Sequence, residues 1–343
     1  MKNEHIKELE RPATPISEHN RYQCVGDIAK DSMQRKTFKT SDGAELSYIS
    51  AGRGKPIVML HGWSQSAEQF KYQIPAFAEH YQVIAVDWRG HGESEKVSFG
   101  YRISRLSKDV QELIAVLQLE KPHLLGHSMG CAIIWSYLDL FGSDEIERLL
   151  LVDQSPLGTL RSHWNVQEIA ESGAIFTAEQ LNAVIHTLQN GNAEESTRNI
   201  LTSMVTSAMS KEQFEWIVEC NFRCPRAIAA TLLYNHLHTD WRDRIVRIRQ
   251  PTLIIGGRKS MVPWTSQVWI NQSIPDSELE IFEEAEGGGH FMFIENPEKF
   301  NRRVLQFLSR SLYPAAQHSF HRGADNGCRG QLKHYRLRPV NAS

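Results

Sequence analysis

Six short apolar runs punctuate the middle of the chain: PIVMLH, QVIAVD, PHLLGHS, RLLLVD, PTLIIGG and LEIFEEA. Each is nearly continuous in apolar residues rather than alternating, as expected of strands covered on both faces. Between them lie stretches with helical spacing, including Ile103 to Leu119, Met129 to Phe141 and Pro297 to Leu312. Strands alternating with helices predict an α/β fold built on a mostly parallel, doubly wound sheet. Upstream, RKTFKTSDGAELSYISAG alternates around Asp42-Gly43 and predicts an opening β-hairpin.

The alternation breaks once. Between Asp153 and Pro251 there is no strand pattern, only helix-like stretches: TAEQLNAVIHTLQNG, NAEESTRNILTSMV, SKEQFEWIVECNF and PRAIAATLLYNHL. Cap signals open two of them, Thr177 before Glu179 and Ser210 before Glu212. A helical block at about 155–245, inserted between two sheet strands, predicts a lid over the sheet's C-terminal edge, where open α/β sheets place their sites. The folded domain is expected over 35–312. Residues 1–34 are polar and aperiodic, a loose arm. Residues 313–343 are basic and nearly free of aliphatic periodicity, so they read as a disordered tail. His318, His321 and His334 in that tail read as solvated residues rather than a metal tract.

Composition narrows the class. With 343 residues, 41% hydrophobic and 23% charged, the chain is long enough to bury a core without metal or disulfide staples. A net charge of −2 argues against nucleic acid as the main partner. The five scattered cysteines read as reduced thiols. Cys220 and Cys224 stand one helical turn apart but lack the further ligands of a zinc site. The charged N-terminus lacks the apolar core of a secretory peptide, and no run approaches membrane-spanning length. The expectation is a cytoplasmic protein that does not engage membranes. No dinucleotide glycine fingerprint follows the first strand, so no cofactor and no metal are expected.

Chemistry concentrates at three places. LLGHSMGCA carries Gly126-His127-Ser128-Met129-Gly130, a G-x-S-x-G pattern between a strand and a helix. Small residues there permit a sharp turn that lifts the Ser128 hydroxyl clear of the backbone, at a helix N-terminus that favours developing negative charge. VMLHGW ends a strand at His61-Gly62-Trp63, where the Trp63 N–H can join that of Met129 as an oxyanion hole. GGGHFMFIENP places His290 after the last strand, positioned to serve Ser128 as general base.

These segments and their order resemble the α/β-hydrolase superfamily over about Arg35 to Leu312. VDWRGHGES is similar to that superfamily's loop after its fourth strand. Asp87 and Arg89 are read there as shaping the loop, and His91 and His127 as structural. The resemblance also implies a carboxylate for His290, usually an Asp in the loop after PTLIIGG, where this chain has Ser260. Asp276 precedes the next strand, at the opposite edge of the sheet. Glu283 and Glu284 finish a strand, and Glu286 faces solvent. Asp153 ends RLLLVD at the same edge as Ser128 and His290, and some superfamily members carry their acid after that strand. Asp153 is therefore expected to complete the catalytic set, with Asp240 and Glu286 as the alternatives.

Aromatic residues cluster near these segments, so a hydrophobic or aromatic small molecule is the expected substrate. Trp63, Trp88, Trp164 and Phe291 are the candidate substrate contacts, with Met292 and Trp216 nearby. His236 and His238 end the lid and could reach the site, without a catalytic role. The first reading is a serine hydrolase of an ester, lactone or related carbonyl bond. A second rests on HGW, DWRGHG and the acid-free loop, which together resemble cofactor-independent dioxygenases of N-heteroaromatic rings. Carbon–carbon bond hydrolysis and perhydrolase or haloperoxidase-type chemistry use the same residues. A non-catalytic small-molecule receptor is the reading from outside enzymology.

Overall fold

Asp42 and Gly43 turn the first strand back on itself. In the computed structural model, which describes residues 33–311, β1 (Gln34–Lys39) pairs antiparallel with β2 (Glu45–Ala51), and Gly43 takes a positive φ of 94° between them. β1 thus begins one residue inside the expected arm. The rest of that arm and the whole basic tail lie outside the described residues. Chain contacts define one unit ending at Leu308 and another from Ser309 onward, of which only residues 309–311 are described.

The six remaining strands pair parallel with one another. β3 (Pro56–Leu60), β4 (Gln82–Val86), β5 (His123–His127), β6 (Leu149–Val152), β7 (Thr252–Gly257) and β8 (Ser277–Phe282) complete an eight-stranded sheet. Its order is β1-β2-β4-β3-β5-β6-β7-β8, with only the β1–β2 and β2–β4 pairs antiparallel.

The continuous apolar strands reflect two covered faces. Val58 and Leu60 of β3 pack with α2 (Ile103–Val116) and α3 (Met129–Phe141), while Ile57 and Met59 join the core beneath the other face. That second core takes Ile74 and Phe77 from α1 (Gln73–Ala78) and Phe300, Val304 and Phe307 from the C-terminal helix, Pro297–Leu308. The C-terminal helix stops four residues short of Leu312, because after Leu308 the residues Ser309, Arg310 and Ser311 no longer supply its apolar stripe. α2 stops at Val116, and Gln118 breaks the helix with a φ of 52°.

Between β6 and β7 the chain is helical, with one isolated bridge joining Thr159 and Phe176. The insertion comprises α4 (Val166–Ser172), α5 (Ala178–Asn190), α6 (Ala193–Thr202), α7 (Lys211–Phe222), α8 (Arg226–Leu237) and α9 (Arg242–Ile245). Thr177 and Ser210 cap their helices, but each reciprocal partner is the glutamine three residues on, Gln180 or Gln213. At that spacing a side chain reaches back to the cap residue's own N–H, and Glu179 and Glu212 are one residue too early. Among the described residues no helix is long and apolar enough to cross a membrane.

Candidate active site

β5 and β6 run parallel with His127 opposite Val152, so the residues that follow them, Ser128 and Asp153, leave adjacent strands at the same edge. The Ser128 N–H donates to the Val152 carbonyl at 2.8 Å, and the Asp153 N–H to Ile255 at 2.8 Å. Both residues then take left-handed φ values, 53° and 54°. Such a conformation is costly for a non-glycine residue and persists only where surrounding structure enforces it. Here the enforcement is steric. A Cβ on Gly130 would lie 2.2 Å from the Leu60 carbonyl oxygen, and one on Gly126 would lie 2.6 Å from the Gly130 backbone. The two glycines let α3 start directly against β3 and β5, and Ser128 is pushed out at its N-terminus.

The HGW turn meets this elbow. A Cβ on Gly62 would lie 3.0 Å from His127 Nδ1 and 3.2 Å from the Ser128 Cβ, so glycine lets the turn approach closely without crowding them. Among the described residues the Trp63 N–H has no backbone carbonyl acceptor. Met129 opens α3, so its N–H has no intrahelical partner. The pair can present two donors to a developing oxyanion beside Ser128.

His290 and Asp153 are brought together from 137 residues apart. His290 Nδ1 donates to Asp153 Oδ2 at 2.6 Å, which leaves Nε2 as the basic nitrogen. The Gly257 N–H donates to Asp153 Oδ1 at 3.2 Å. Ser260 Oγ donates to Oδ2 and itself accepts from the Val262 N–H at 3.1 Å. The other carboxylates weighed for this position are engaged elsewhere. Glu283 pairs with Arg258 at 2.8 Å, Glu284 with Lys259 at 3.3 Å, Glu286 with Lys299 at 2.7 Å and Asp240 with Arg242 at 2.8 Å.

Backbone contacts hold the histidine loop. The His290 carbonyl accepts from His127 Nε2 at 3.0 Å, and the His290 N–H donates to Met204 of the helical insertion at 2.6 Å. His127 is fully enclosed, and burial holds it neutral, well below the ordinary histidine value. Glu295 fastens the same insertion loop through the Thr206 N–H, at 3.0 Å, and the Thr206 hydroxyl.

Ser128 and His290 line one cavity with Trp63, Gln154, Ser155, Ile175, Phe176, Ile200, Met204, Leu233, His236, Leu237, Met261 and Val262. The lining is mostly apolar. Of the four aromatic residues expected to touch substrate, only Trp63 lines it. Its indole N–H is anchored to the Ala229 carbonyl of α8 at 2.7 Å.

The other three need correction. Trp88 is fully buried, and its indole N–H donates to the His61 carbonyl at 3.0 Å, so the ring secures the loop after β4 from beneath. Trp164 lies between the guanidinium groups of Arg161 and Arg242, 5.4 and 4.6 Å from its ring. Phe291 packs beside two histidines, its ring 5.5 Å from that of His290 and 5.4 Å from that of His127. Trp216 is covered by Lys71, and Met292 is in the core.

Asp87 and Arg89 belong to the scaffold. Asp87 accepts from Arg35 and the Ala67 N–H, both at 2.7 Å, and Arg89 is clamped between Asp109 and Asp42. Sequence reasoning missed most of the cavity wall. Met261 and Val262 directly follow Ser260, and Ile175 and Phe176 precede α5, but no periodicity marks a loop residue as facing a cavity. His236 lines the cavity, whereas His238 is exposed and bonded to the Tyr234 carbonyl at 2.8 Å. Cys220 and Cys224 are buried thiols, each pushed up to about 11 by burial.

Known proteins share this architecture. The chain is 27% identical over 284 residues to the AB hydrolase superfamily protein YisY of Bacillus subtilis, a match spanning 79% of this chain and 97% of that protein. It is 27% identical over 291 residues to a non-heme chloroperoxidase of Kitasatospora aureofaciens, spanning 79% of this chain and 98% of the relative. Among solved structures, an esterase from Exiguobacterium antarcticum superposes with a TM-score of 0.73 at 27% identity, covering 80% of this chain and 99% of that one. The family model described as alpha/beta hydrolase fold matches residues 55–297. The chain belongs to that family, and its strand order agrees.

Proposed function

We propose that the protein is a serine hydrolase that cleaves an ester, lactone or related carbonyl bond of a largely hydrophobic small molecule through an acyl-enzyme. One observation carries this reading. Ser128, at a strained elbow, and His290, held by Asp153 at 2.6 Å, line the same apolar cavity. Ser128 Oγ attacks the carbonyl while His290 Nε2 takes its proton, and the N–H groups of Trp63 and Met129 receive the oxyanion. His290 returns the proton to the leaving oxygen, and water activated by the same imidazole clears the acyl group. Asp153 keeps the ring in the tautomer that frees Nε2 and offsets the charge of the imidazolium. The name of the esterase relative agrees with this chemistry.

A fluorophosphonate probe followed by peptide mass mapping tests the reading. The adduct is expected on Ser128, and Ser128→Ala should lower aryl-ester hydrolysis by roughly 10⁴-fold or more. Labelling elsewhere, or full activity in that variant, overturns it. Oxygen uptake matching substrate loss would instead establish the dioxygenase alternative, in which the His290–Asp153 pair is the base and Ser128 is never acylated.

A further inference from the structure

His236 is a polar group with an unpartnered ring nitrogen in a mostly apolar wall. α8 carries it to the cavity that holds Ser128 and His290, between Leu233 and Leu237, and only 4% of the residue remains exposed. Its Nδ1 is sealed from solvent and has no hydrogen-bond partner among the described residues. Burial, with a smaller contribution from His290, holds its pKa at about 3, so the ring is neutral at working pH and offers one donor and one acceptor. Leucine at this position would fill the wall with no unpaired group, since both flanking wall positions on α8 are already leucine. A buried polar group left unpaired is destabilising, and where it faces a cavity a molecule bound there can supply the missing partner.

The lining also restricts that partner. It contains no lysine, arginine or carboxylate, so a charged substituent would enter without a counter-ion. We infer that His236 is a specificity-determining residue that hydrogen-bonds an uncharged oxygen substituent of the substrate, a hydroxyl or carbonyl other than the group that is cleaved. The substrate class of the proposed hydrolase then narrows to apolar or aromatic esters and lactones bearing one such neutral oxygen function. This inference rests on the hydrolase reading for the identity of the cavity, but recognition at His236 can be measured without turnover.

The test uses the full chain and two paired probes. For hydrolysis, kcat/KM is compared for phenyl acetate and 3-hydroxyphenyl acetate in the native protein and in His236→Leu. For binding, calorimetry compares phenol with benzene-1,3-diol on Ser128→Ala. The native protein should prefer the hydroxylated ester by roughly tenfold or more, and His236→Leu should bring the ratio to about one. His236→Gln, which keeps a donor and an acceptor, should retain part of the preference. The rate of fluorophosphonate labelling at Ser128 reports whether the catalytic edge survives each substitution. Equal affinity of Ser128→Ala for phenol and the diol overturns the inference, as does a preference unchanged by His236→Leu in a protein that still labels. If neither ester is cleaved but the diol binds roughly tenfold tighter than phenol, recognition by His236 stands and the acyl-transfer reading fails.

Discussion

Ser260 Oγ donates to Asp153 Oδ2, the same carboxylate oxygen that His290 Nδ1 meets at 2.6 Å. The loop after β7 therefore still reaches the Asp153–His290 pair, as a hydrogen-bond donor rather than as a carboxylate. Ser260 Oγ lies 3.5 Å from His290 Nδ1, so a longer side chain there can reach the ring directly. Asp153→Asn should fold and lose roughly 10² to 10⁴ in aryl-ester turnover, through the wrong tautomer and the lost charge. Adding Ser260→Asp to that variant should restore roughly tenfold or more of the loss, by presenting a carboxylate from the neighbouring strand. Steady-state kinetics on the single and double variants decide it. A folded double variant with no recovery would show that the β7 loop cannot hold the acid in this chain.

The elbow depends on Gly130. A methyl group there would meet the Leu60 carbonyl oxygen at 2.2 Å and its carbonyl carbon at 2.9 Å, strand backbone that cannot swing aside. Gly130→Ala should lower stability by about 3 kcal/mol or prevent soluble folding. Gly142, at the end of α3, has a φ of 79° but open space around it. With ψ at −175° as well, Gly142→Ala should therefore cost backbone strain alone, about 2 kcal/mol, and still fold. Urea midpoints of the two variants test the contrast, and equal midpoints would contradict it.

Arg89 should matter for folding rather than turnover. Its guanidinium is fully buried and binds both oxygens of Asp109, at 2.8 and 2.7 Å. Arg89→Leu would leave that buried carboxylate with Arg105 alone, at 2.8 Å. The expected loss is about 3 to 5 kcal/mol, typical when one partner of a buried pair is removed. Below its melting temperature the variant should still label at Ser128. A folded, fully stable protein that no longer labels would move Arg89 into the site.

Buried histidines set the acid limit of stability. Burial holds His61 and His91 at about 3, the latter with further repulsion from His61. The unfolded chain protonates both near 6.5, so between about 6.5 and 3 the unfolded state binds more protons. Stability from these two rings is complete above pH 6.5 and falls as pH drops towards 3. Each contributes a slope of about 1.4 kcal/mol per pH unit inside that window. Urea midpoints measured between pH 7 and pH 4 should decline, and His91→Asn should make the decline shallower. An unchanged slope would mean that His91 gains its proton without unfolding.

Local information was sufficient for much of this protein. Strands β3 to β7 are legible because both their faces are buried, so their runs are nearly all apolar, whereas the edge strand β8, SELEIF, is only partly buried and alternates. The elbow is legible because G-x-S-x-G is a steric requirement confined to five neighbouring positions, and a Cβ at Gly126 or Gly130 has nowhere to go. The order of Ser128, Asp153 and His290 along strand ends follows from the parallel sheet, which brings all its C-terminal ends to one edge.

The tertiary structure alone decided which side chains face the cavity. Trp63 and Trp88 both follow the ends of neighbouring parallel strands, yet Trp63 reaches across to Ala229 of the helical insertion while Trp88 turns back to the His61 carbonyl. Their destinations depend on partners far away in sequence, so no local pattern distinguishes them. The same holds for the acids. Glu283, Glu286 and Asp240 differ from Asp153 chiefly in having a cation beside them, and those cations arrive through the fold. His236 is the clearest case: whether a histidine on an amphipathic helix is solvated, paired or left waiting depends on what packs above it, and a sequence does not state that.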